Sequence, residues 1–312
     1  MESQKPKIAM YVKRPFGEKL NASFDFIKEN WKQLFKYSTY LILPICLIQA
    51  ANFSGLMGSM TDITAMQASG GISDNPLAAL GPSFALNYAG VIFFSCLGAL
   101  LMTSLIYAMV RLYNEREERL NGIVFGDIKS LLLRNVKRLF LMGIACGFLF
   151  FFAVILVVLL AVLTPFTLIL TIPLLFAFMV PLALMAPIYL FEDISLGEAF
   201  AKTFRLGFAT WGGIFLILIV MGLIASVLQT IVSIPWYVIY IVKMIFTMSD
   251  GGATSSSVGL NFAQYLFSIL MLYGSYLSAI FSIVGLVYQY GHASEVVDSI
   301  TVESDIDNFD KL

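Results

Sequence analysis

Six long runs of apolar residues dominate the hydropathy pattern of the chain, and short polar segments separate them. A helix that crosses about 30 Å of hydrocarbon needs about 20 mostly apolar residues, and each run is near that length. The predicted spans cover residues 37–53, 86–110, 139–163, 166–190, 213–234 and 263–289. The pattern therefore predicts an all-α polytopic membrane protein with six transmembrane helices.

The third and fourth spans share one stretch, residues 139–191, that contains no charged residue. It is too long for one helix and suits two helices with a tight turn at Thr164–Pro165, since proline ends the preceding helix. Three prolines, Pro173, Pro181 and Pro187, are then expected to bend or break span four. A kinked packing helix is the commoner outcome, and a broken helix that lines a transport site is the alternative.

Lysine and arginine lie almost entirely on one side of the predicted spans. Segments 1–36, 111–138 and 192–212 and the C-terminal tail hold 18 of the 19, and the opposite side holds only Lys243. Because these residues accumulate in cytoplasmic segments that flank spans, both termini are expected in the cytoplasm. An even number of spans agrees with this orientation.

One amphipathic phrase occurs twice, in residues 15–35 and 195–215, which align without a gap. The identical pairs are Gly17 and Gly197, Glu18 and Glu198, Phe24 and Phe204, Trp31 and Trp211, and Phe35 and Phe215. A third, weaker copy lies at 125–140, where FGD and NVKRLF match FGE and NWKQLF. Each copy precedes an odd-numbered span, so the chain is predicted to contain three units of an amphipathic helix plus a hairpin.

In the first copy the apolar residues recur at steps of three and four and form one stripe: Leu20, Phe24, Ile27, Trp31 and Leu34. Charged residues, Lys19 among them, occupy the rest of the helix, a pattern typical of a helix that lies in the membrane interface. Ser195 and Glu198 form a capping box that predicts where the second copy begins. A topogenic anchor is the simpler role of these helices, and a cytoplasmic collar that gates a pathway or docks a partner is the alternative.

The predicted organisation is a cytoplasmic N-terminus with an interfacial helix (1–36), a six-span domain (37–290) and an acidic, mobile tail (291–312). Charge pairing of this tail with the basic segments is an alternative to mobility. Residues 54–83 are expected to be a loop, with a folded cap as the alternative. Residues 236–247 either extend span five or lie at the interface.

Polar residues near the spans carry smaller predictions. YNEREERLNG is expected to extend span two as a helix with Arg111–Glu115 and Glu115–Arg119 pairs. Gly143 and Gly147 form a GxxxG pair that favours packing within the chain, with a dimer as the alternative. The amide side chains near the spans are expected to be satisfied by interhelical hydrogen bonds or the interface rather than to bind substrate: Gln49, Asn52, Asn87, Gln229, Gln264 and Gln289.

Composition agrees with a membrane protein, since 59% of the residues are hydrophobic and only 12% are charged, with a mean hydropathy of +0.86. Soluble domains carry about 25% charged residues. A net charge of −1 does not favour nucleic acid as a partner, and one histidine with three cysteines in apolar runs predicts no metal or other cofactor. The predicted spans contain no ionisable Asp, Glu, Lys, Arg or His, so no enzymatic activity is expected.

The stretch VPLALMAPIYLFEDISLGEAFAKTFRLGFATWGGIFLIL, residues 180–218, resembles a poorly characterised bacterial family of six-span integral membrane proteins. That family carries repeated units of an amphipathic helix plus a hairpin. The stretch is also similar to the membrane domain fused to some bacterial glycerophosphodiester phosphodiesterases. The resemblance implies a multi-pass protein of the bacterial inner membrane. The phosphodiesterase activity does not carry over, because it belongs to a separate soluble barrel with clustered His and Glu.

Two functions from different classes follow. The first is a non-enzymatic integral membrane protein with a structural or accessory role in the cell envelope, and membrane lipids as its partners. The alternative is a transporter or lipid-handling permease for a neutral or amphipathic solute. A polar cavity between spans one, four and five would favour transport, and a solid apolar core would favour the accessory role. The sequence leaves open whether the protein has a protein partner or forms a homo-oligomer.

Overall fold

The computed structural model of the chain describes residues 6–68, 81–249 and 258–301. Every element within these residues is an α-helix. They are α1 (Phe16–Ala68), α2 (Pro82–Glu115), α3 (Phe125–Leu163), α4 (Thr167–Leu182), α5 (Met185–Phe191), α6 (Leu196–Ala209), α7 (Trp211–Ser249) and α8 (Val258–Val297). Within the described residues, six segments are long and apolar enough to cross a membrane, and each contains one predicted span to within a residue. The all-α polytopic fold is therefore confirmed.

The described residues divide into two compact units. The first unit comprises residues 6–34, 103–223 and 280–301, and thus most of the charged segments. The second unit comprises residues 35–68, 81–102, 224–249 and 258–279. Helices α1, α2, α7 and α8 contribute residues to both units.

Helix α1 runs without a break from the amphipathic segment through the first span. The first copy of the phrase is thus continuous with its span, and Pro44 lies inside the helix without ending it. The expectation of a loop from residue 54 is wrong for its first part, because α1 reaches Ala68; residues 69–80 lie outside the described residues. The second copy differs, since Thr210 separates α6 from α7.

The face of α1 that is buried within the protein is offset from the apolar stripe. Phe26 is fully buried and lies 5.1 Å, centroid to centroid, from the ring of Tyr113. Of the stripe residues, Leu34 is buried within the protein and Trp31 is 56% exposed. The buried face is shifted by one position and carries small and polar residues, Lys19, Ala22, Ser23 and Asn30, which an apolar count overlooks.

The matching hexapeptides NWKQLF and NVKRLF have the same burial pattern. Asn30 and Asn135 are both buried, and each side-chain amide donates to a backbone carbonyl. The leucine of each hexapeptide, Leu34 or Leu139, is also buried, whereas the closing phenylalanine is exposed. Matching sequence positions therefore face the same way in α1 and α3.

The predicted turn between spans three and four is confirmed. Helix α3 ends at Leu163 and α4 begins at Thr167, whose hydroxyl donates to the carbonyls of Leu160 and Thr164. Span four is broken, as the prolines predict, between Leu182 and Met185. Pro187 lacks the N–H that would bond to the carbonyl four residues earlier, which explains why the helix is interrupted there.

Three further predictions concern helix ends. Arg111 pairs with Glu115 at 2.8 Å, which confirms the first pair, but α2 ends at Glu115. The second pair is wrong, since Arg119 lies outside the helix with φ 58° and binds Glu29 at 2.6 Å. Helix α7 continues to Ser249, so residues 236–247 extend span five.

Other small predictions have mixed outcomes. A Cβ built on Gly143 or Gly147 would have no atom of another described helix within 4 Å. The prediction that this pair packs against another helix is therefore wrong. Gln49 is bonded to Ser95 and Tyr276, as expected of an interhelical amide. Gln264 likewise accepts from Lys243.

Candidate functional site

The turn between α5 and α6 is held by hydrogen bonds and ion pairs from several helices of the first unit. Asp193 has φ 56°, a left-handed conformation that aspartate tolerates better than most residues. Ser195 caps α6: its hydroxyl accepts from the Glu198 N–H, and the Glu198 carboxylate accepts from the Ser195 N–H at 2.9 Å. The predicted capping box is confirmed. The hydrogen bond from the Ser195 backbone lowers the pKa of the Glu198 carboxyl.

Three arginines converge on Asp193 and form what we call the arginine cluster: Arg111 from α2, with Arg134 and Arg138 from α3. Their nitrogens lie 3.2, 2.6 and 3.8 Å from the carboxylate of Asp193. Arg138 also donates to the carbonyls of Tyr189 and Ile194 and lies 3.9 Å from the ring centroid of Tyr189. The guanidinium fork suits such multiple contacts, so α2 and α3 together fix the α5–α6 turn.

A second set of charges lies on the other side of this turn, and we call it the Lys202 cluster: Glu192, Lys202, Arg205 and Asp298. Lys202 Nζ is 2.7 Å from both carboxylates, and Arg205 also binds Asp298 at 2.7 Å. Burial alone would lower the pKa of Lys202, but hydrogen bonds to Asp298 and Glu192 outweigh burial and raise it. Lys202 therefore stays charged and bridges α6 to the end of α8.

Asp298 corrects the prediction of a mobile tail. Helix α8 continues to Val297, and Ala293, Ser294 and Glu295 are buried. The alternative of charge pairing with a basic segment is confirmed for Asp298. The remainder of the predicted tail, residues 302–312, lies outside the described residues. The charge content of each segment does not predict this pairing, because Lys202 and Asp298 are far apart in sequence.

A cavity of about 720 Å³ adjoins the Lys202 cluster. Its lining consists of the four cluster residues together with Tyr11, Val297 and Ile300. The hydroxyl of Tyr290 donates to Glu192 at 2.8 Å and lies 3.4 Å from that of Tyr11. Burial raises the pKa of Tyr11. Two acidic and two basic side chains cancel in charge, so the cavity favours polar or zwitterionic contacts over a single ion.

The structure contradicts the predicted position of Lys19. Its expected position was on the charged, exposed face, but it is only 3% exposed and donates to the side chain of Gln289 at 2.7 Å. A Cβ on Gly213 would lie 3.0 Å from Gln289 Nε2 and 3.2 Å from Lys19 Nζ. Glycine at position 213 therefore allows α7 to approach this pair closely.

The residues of the repeated phrase do not meet at one site. Trp211 donates to the Ala177 carbonyl at 2.9 Å and stacks on Phe215. Phe204 contacts Phe178. In the first copy, Phe24 contacts Phe281, Phe35 contacts Tyr273, and Gly17, Glu18 and Trp31 are exposed, as is Gly197 in the second copy. The Trp211–Phe215 stack lies within α7, and the other contacts join different helices.

Potential metal ligands are not clustered in the described residues. They contain no group of three or more His, Cys, Asp or Glu side chains that could hold a metal ion. The Nδ1 atom of His292 accepts a hydrogen bond from the backbone N–H of Arg14 at 3.1 Å. The ring is thus tied to the segment before α1.

Comparison of the chain with protein-family models, curated proteins and solved structures returned no match. The two charge clusters and the six long apolar helices of the described residues are therefore the features that bear on function.

Proposed function

We propose that this protein is a non-enzymatic integral membrane protein with a structural or accessory role in the bacterial cell envelope. One observation carries the proposal: the charged side chains around the α5–α6 turn are bonded to one another and to the backbone. Asp193 is held by the arginine cluster, and Asp298 by Lys202 and Arg205. Such a network holds helices in place and leaves few charges free for reaction chemistry.

The proposed orientation places both termini in the cytoplasm of the cell that makes it, with the protein in the inner membrane. The three basic segments, apart from residues 35 and 36, and the acidic residues between them lie in the first unit. These charged segments are then the cytoplasmic collar, whereas the long apolar helices of the same unit span the membrane. The exposed lysines of the collar, such as Lys28 and Lys32, are available to lipid phosphates. In this proposal the collar anchors the hairpins and presents a rigid surface to a partner in the envelope.

Cysteine labelling tests the orientation. In a background without Cys46, Cys96 and Cys146, Thr164→Cys is expected to react with an impermeant maleimide in intact cells. Asn121→Cys, in the predicted cytoplasmic loop, is expected to react only after permeabilisation. The reverse pattern would exclude the proposed orientation.

Complementation tests the accessory role. A strain that lacks the gene is expected to become sensitive to envelope stress, and wild-type protein is expected to restore resistance. Asp193→Asn removes the charge that the arginine cluster binds. This variant is expected to restore resistance poorly when its amount in the membrane equals that of the wild-type protein. Full rescue by Asp193→Asn would show that the network is not what the role requires.

The alternative, a permease for a neutral or amphipathic solute, is favoured by one feature of the second unit, a cavity lined by uncharged side chains. Uptake of a candidate solute into proteoliposomes that hold the purified protein would distinguish a permease from an accessory protein.

A further inference from the structure

The second unit contains a cavity of about 490 Å³ between residues of α1, α7 and α8. Sites for small organic ligands are typically about 300–1,000 Å³, mostly apolar, with a few polar groups. The cavity follows this pattern, since Phe53, Trp236, Tyr237 and Tyr240 supply aromatic surface. None of its lining residues is charged.

Trp236 carries an unsatisfied polar group beside this cavity. The residue is only 6% exposed, and its indole N–H has no hydrogen-bond partner among the described residues. A buried donor without an acceptor is costly, and more so in a membrane, where water does not compensate. The indole nitrogen has almost no accessible surface, so a ligand that supplies an acceptor oxygen would recover this loss only after the side chains that cover the nitrogen move aside.

The other polar groups of the lining suit an oxygen-bearing ligand. The Ser233 hydroxyl already donates to the carbonyl of Gln229 at 2.7 Å. Gln229 and Ser275 are further polar residues of the lining. With no opposite charge in the lining, burial of an ionised ligand would be expensive.

Ring geometry argues against a quaternary ammonium ligand. Such cations bind over the faces of aromatic rings. The Trp236 ring stacks on Tyr240 at 5.2 Å with an interplanar angle of 11°, and Phe53 lies 5.4 Å from it. Tyr240 thus covers one face of the Trp236 ring, and Phe53 and Tyr237 also contact the ring. The N–H is the group of this side chain that lacks a partner among the described residues.

We propose that this cavity binds a neutral amphipathic molecule of lipid type, with an apolar chain among the aromatic rings and a hydroxyl or carbonyl oxygen that accepts from Trp236. The binding site goes beyond the accessory role proposed above and does not depend on it. A bound lipid of this kind would occupy the second unit whether or not the protein transports it.

Tryptophan quenching by brominated probes tests the site. The chain has three tryptophans, so Trp31→Phe/Trp211→Phe leaves Trp236 as the only reporter. The matched control, Trp211→Phe/Trp236→Phe, leaves Trp31, which is 56% exposed and reports simple partition of a probe into lipid. Both variants are placed in nanodiscs and titrated with ω-bromoundecanol, bromoundecane, ω-bromoundecanoate and ω-bromoundecyltrimethylammonium.

The alcohol is expected to quench Trp236 saturably, with an affinity about fivefold above that of the alkane, because only the alcohol offers an acceptor. The carboxylate and the ammonium probe are expected to quench only as they quench Trp31, in proportion to their concentration. Equal affinities of alcohol and alkane would overturn the assigned acceptor. Tightest binding by the ammonium probe would overturn the neutral ligand class, and unsaturable quenching by every probe would overturn the site.

A cavity-filling variant locates the binding. Ser275→Phe in the Trp236 reporter is expected to abolish saturation, whereas Thr230→Phe, at an exposed residue outside the lining, is expected to retain it. Helicity by circular dichroism verifies folding, and Ser275→Leu replaces the larger substitution if Ser275→Phe does not fold. Saturation that survives a folded Ser275 variant would place the ligand elsewhere and contradict the proposal.

Discussion

The ammonium group of Lys19 lies 2.7 Å from the side-chain oxygen of Gln289, and both residues are buried. The bond joins a charge to a neutral amide, so the partner only partly offsets the loss of water around the lysine. The side-chain nitrogen of Gln289 has no hydrogen-bond partner among the described residues. Substitution of one residue of this buried polar pair is therefore expected to destabilise the first unit.

Gln289→Leu alone should destabilise the protein by about 3 kcal/mol, since it leaves a buried ammonium without its acceptor. The double variant Lys19→Met/Gln289→Leu should be about as stable as wild type, because both polar groups are replaced together. Thermal unfolding in mild detergent measures the difference. Lys28→Met, at an exposed position of the same helix, is the control and should change little. A double variant less stable than Gln289→Leu would contradict this account.

Gly207→Ala should destabilise the packing of α6 against α4. A Cβ at this position would lie 2.5 Å from the Cβ and 2.8 Å from the Cα of Pro181, a rigid backbone atom that cannot move aside. Overpacking of this kind costs about 1–3 kcal/mol. Gly197→Ala in the same helix meets no atom within 4 Å and should be neutral or slightly stabilising. Equal melting temperatures for the two variants would show that α6 adjusts freely.

The features that the sequence predicted correctly depend on residues close together in the chain or on the length of an apolar run. The turn at Thr164–Pro165 and the cap at Ser195 depend on residues that are neighbours in the chain. The six spans follow from the length of apolar runs, because the bilayer demands that length.

Features that depend on distant partners were predicted less well. Lys19 counts as a polar surface residue in any periodicity analysis, and only its contact with Gln289, 270 positions later, explains its burial. Asp298 similarly lies in an acidic segment that looks solvated until Lys202 and Arg205 are placed beside it. The candidate site is assembled from α2, α3, α6 and α8, and no local pattern reports which residues of these helices meet.

Arg138→Lys should destabilise the first unit by about 2 kcal/mol although the charge is kept. One nitrogen of Arg138 donates to the carbonyls of Tyr189 and Ile194 while the other lies near Asp193, and lysine has a single nitrogen and no plane to stack on the tyrosine ring. Lys137→Arg, at the exposed neighbouring position, is the matched control and should leave the melting temperature unchanged. If Arg138→Lys has the same melting temperature as wild type, the arginine cluster does not stabilise the α5–α6 turn.

The capping box should make stability depend on pH in acid. The folded-state pKa of Glu198 is lowered from its ordinary value of 4.5, first by the hydrogen bond from the Ser195 backbone and then by the Ser195 hydroxyl. A lowered pKa means that this carboxylate contributes stability above pH 4.5 and loses it as pH falls through the folded-state value. Glu198→Gln should therefore melt below wild type at neutral pH and approach it in acid.

Two comparisons isolate the cap from the other carboxyl groups that titrate in the same range. Glu117→Gln, at an exposed residue, should run parallel to wild type from pH 7 to pH 3. Ser195→Ala should cost about 1 kcal/mol at neutral pH, the usual effect of a lost N-cap. Because it also removes the hydroxyl that bonds Glu198, combining it with Glu198→Gln should add less than the sum of the two single effects. A constant gap between wild type and Glu198→Gln across the pH range would mean that the charge of Glu198 is not what the cap requires.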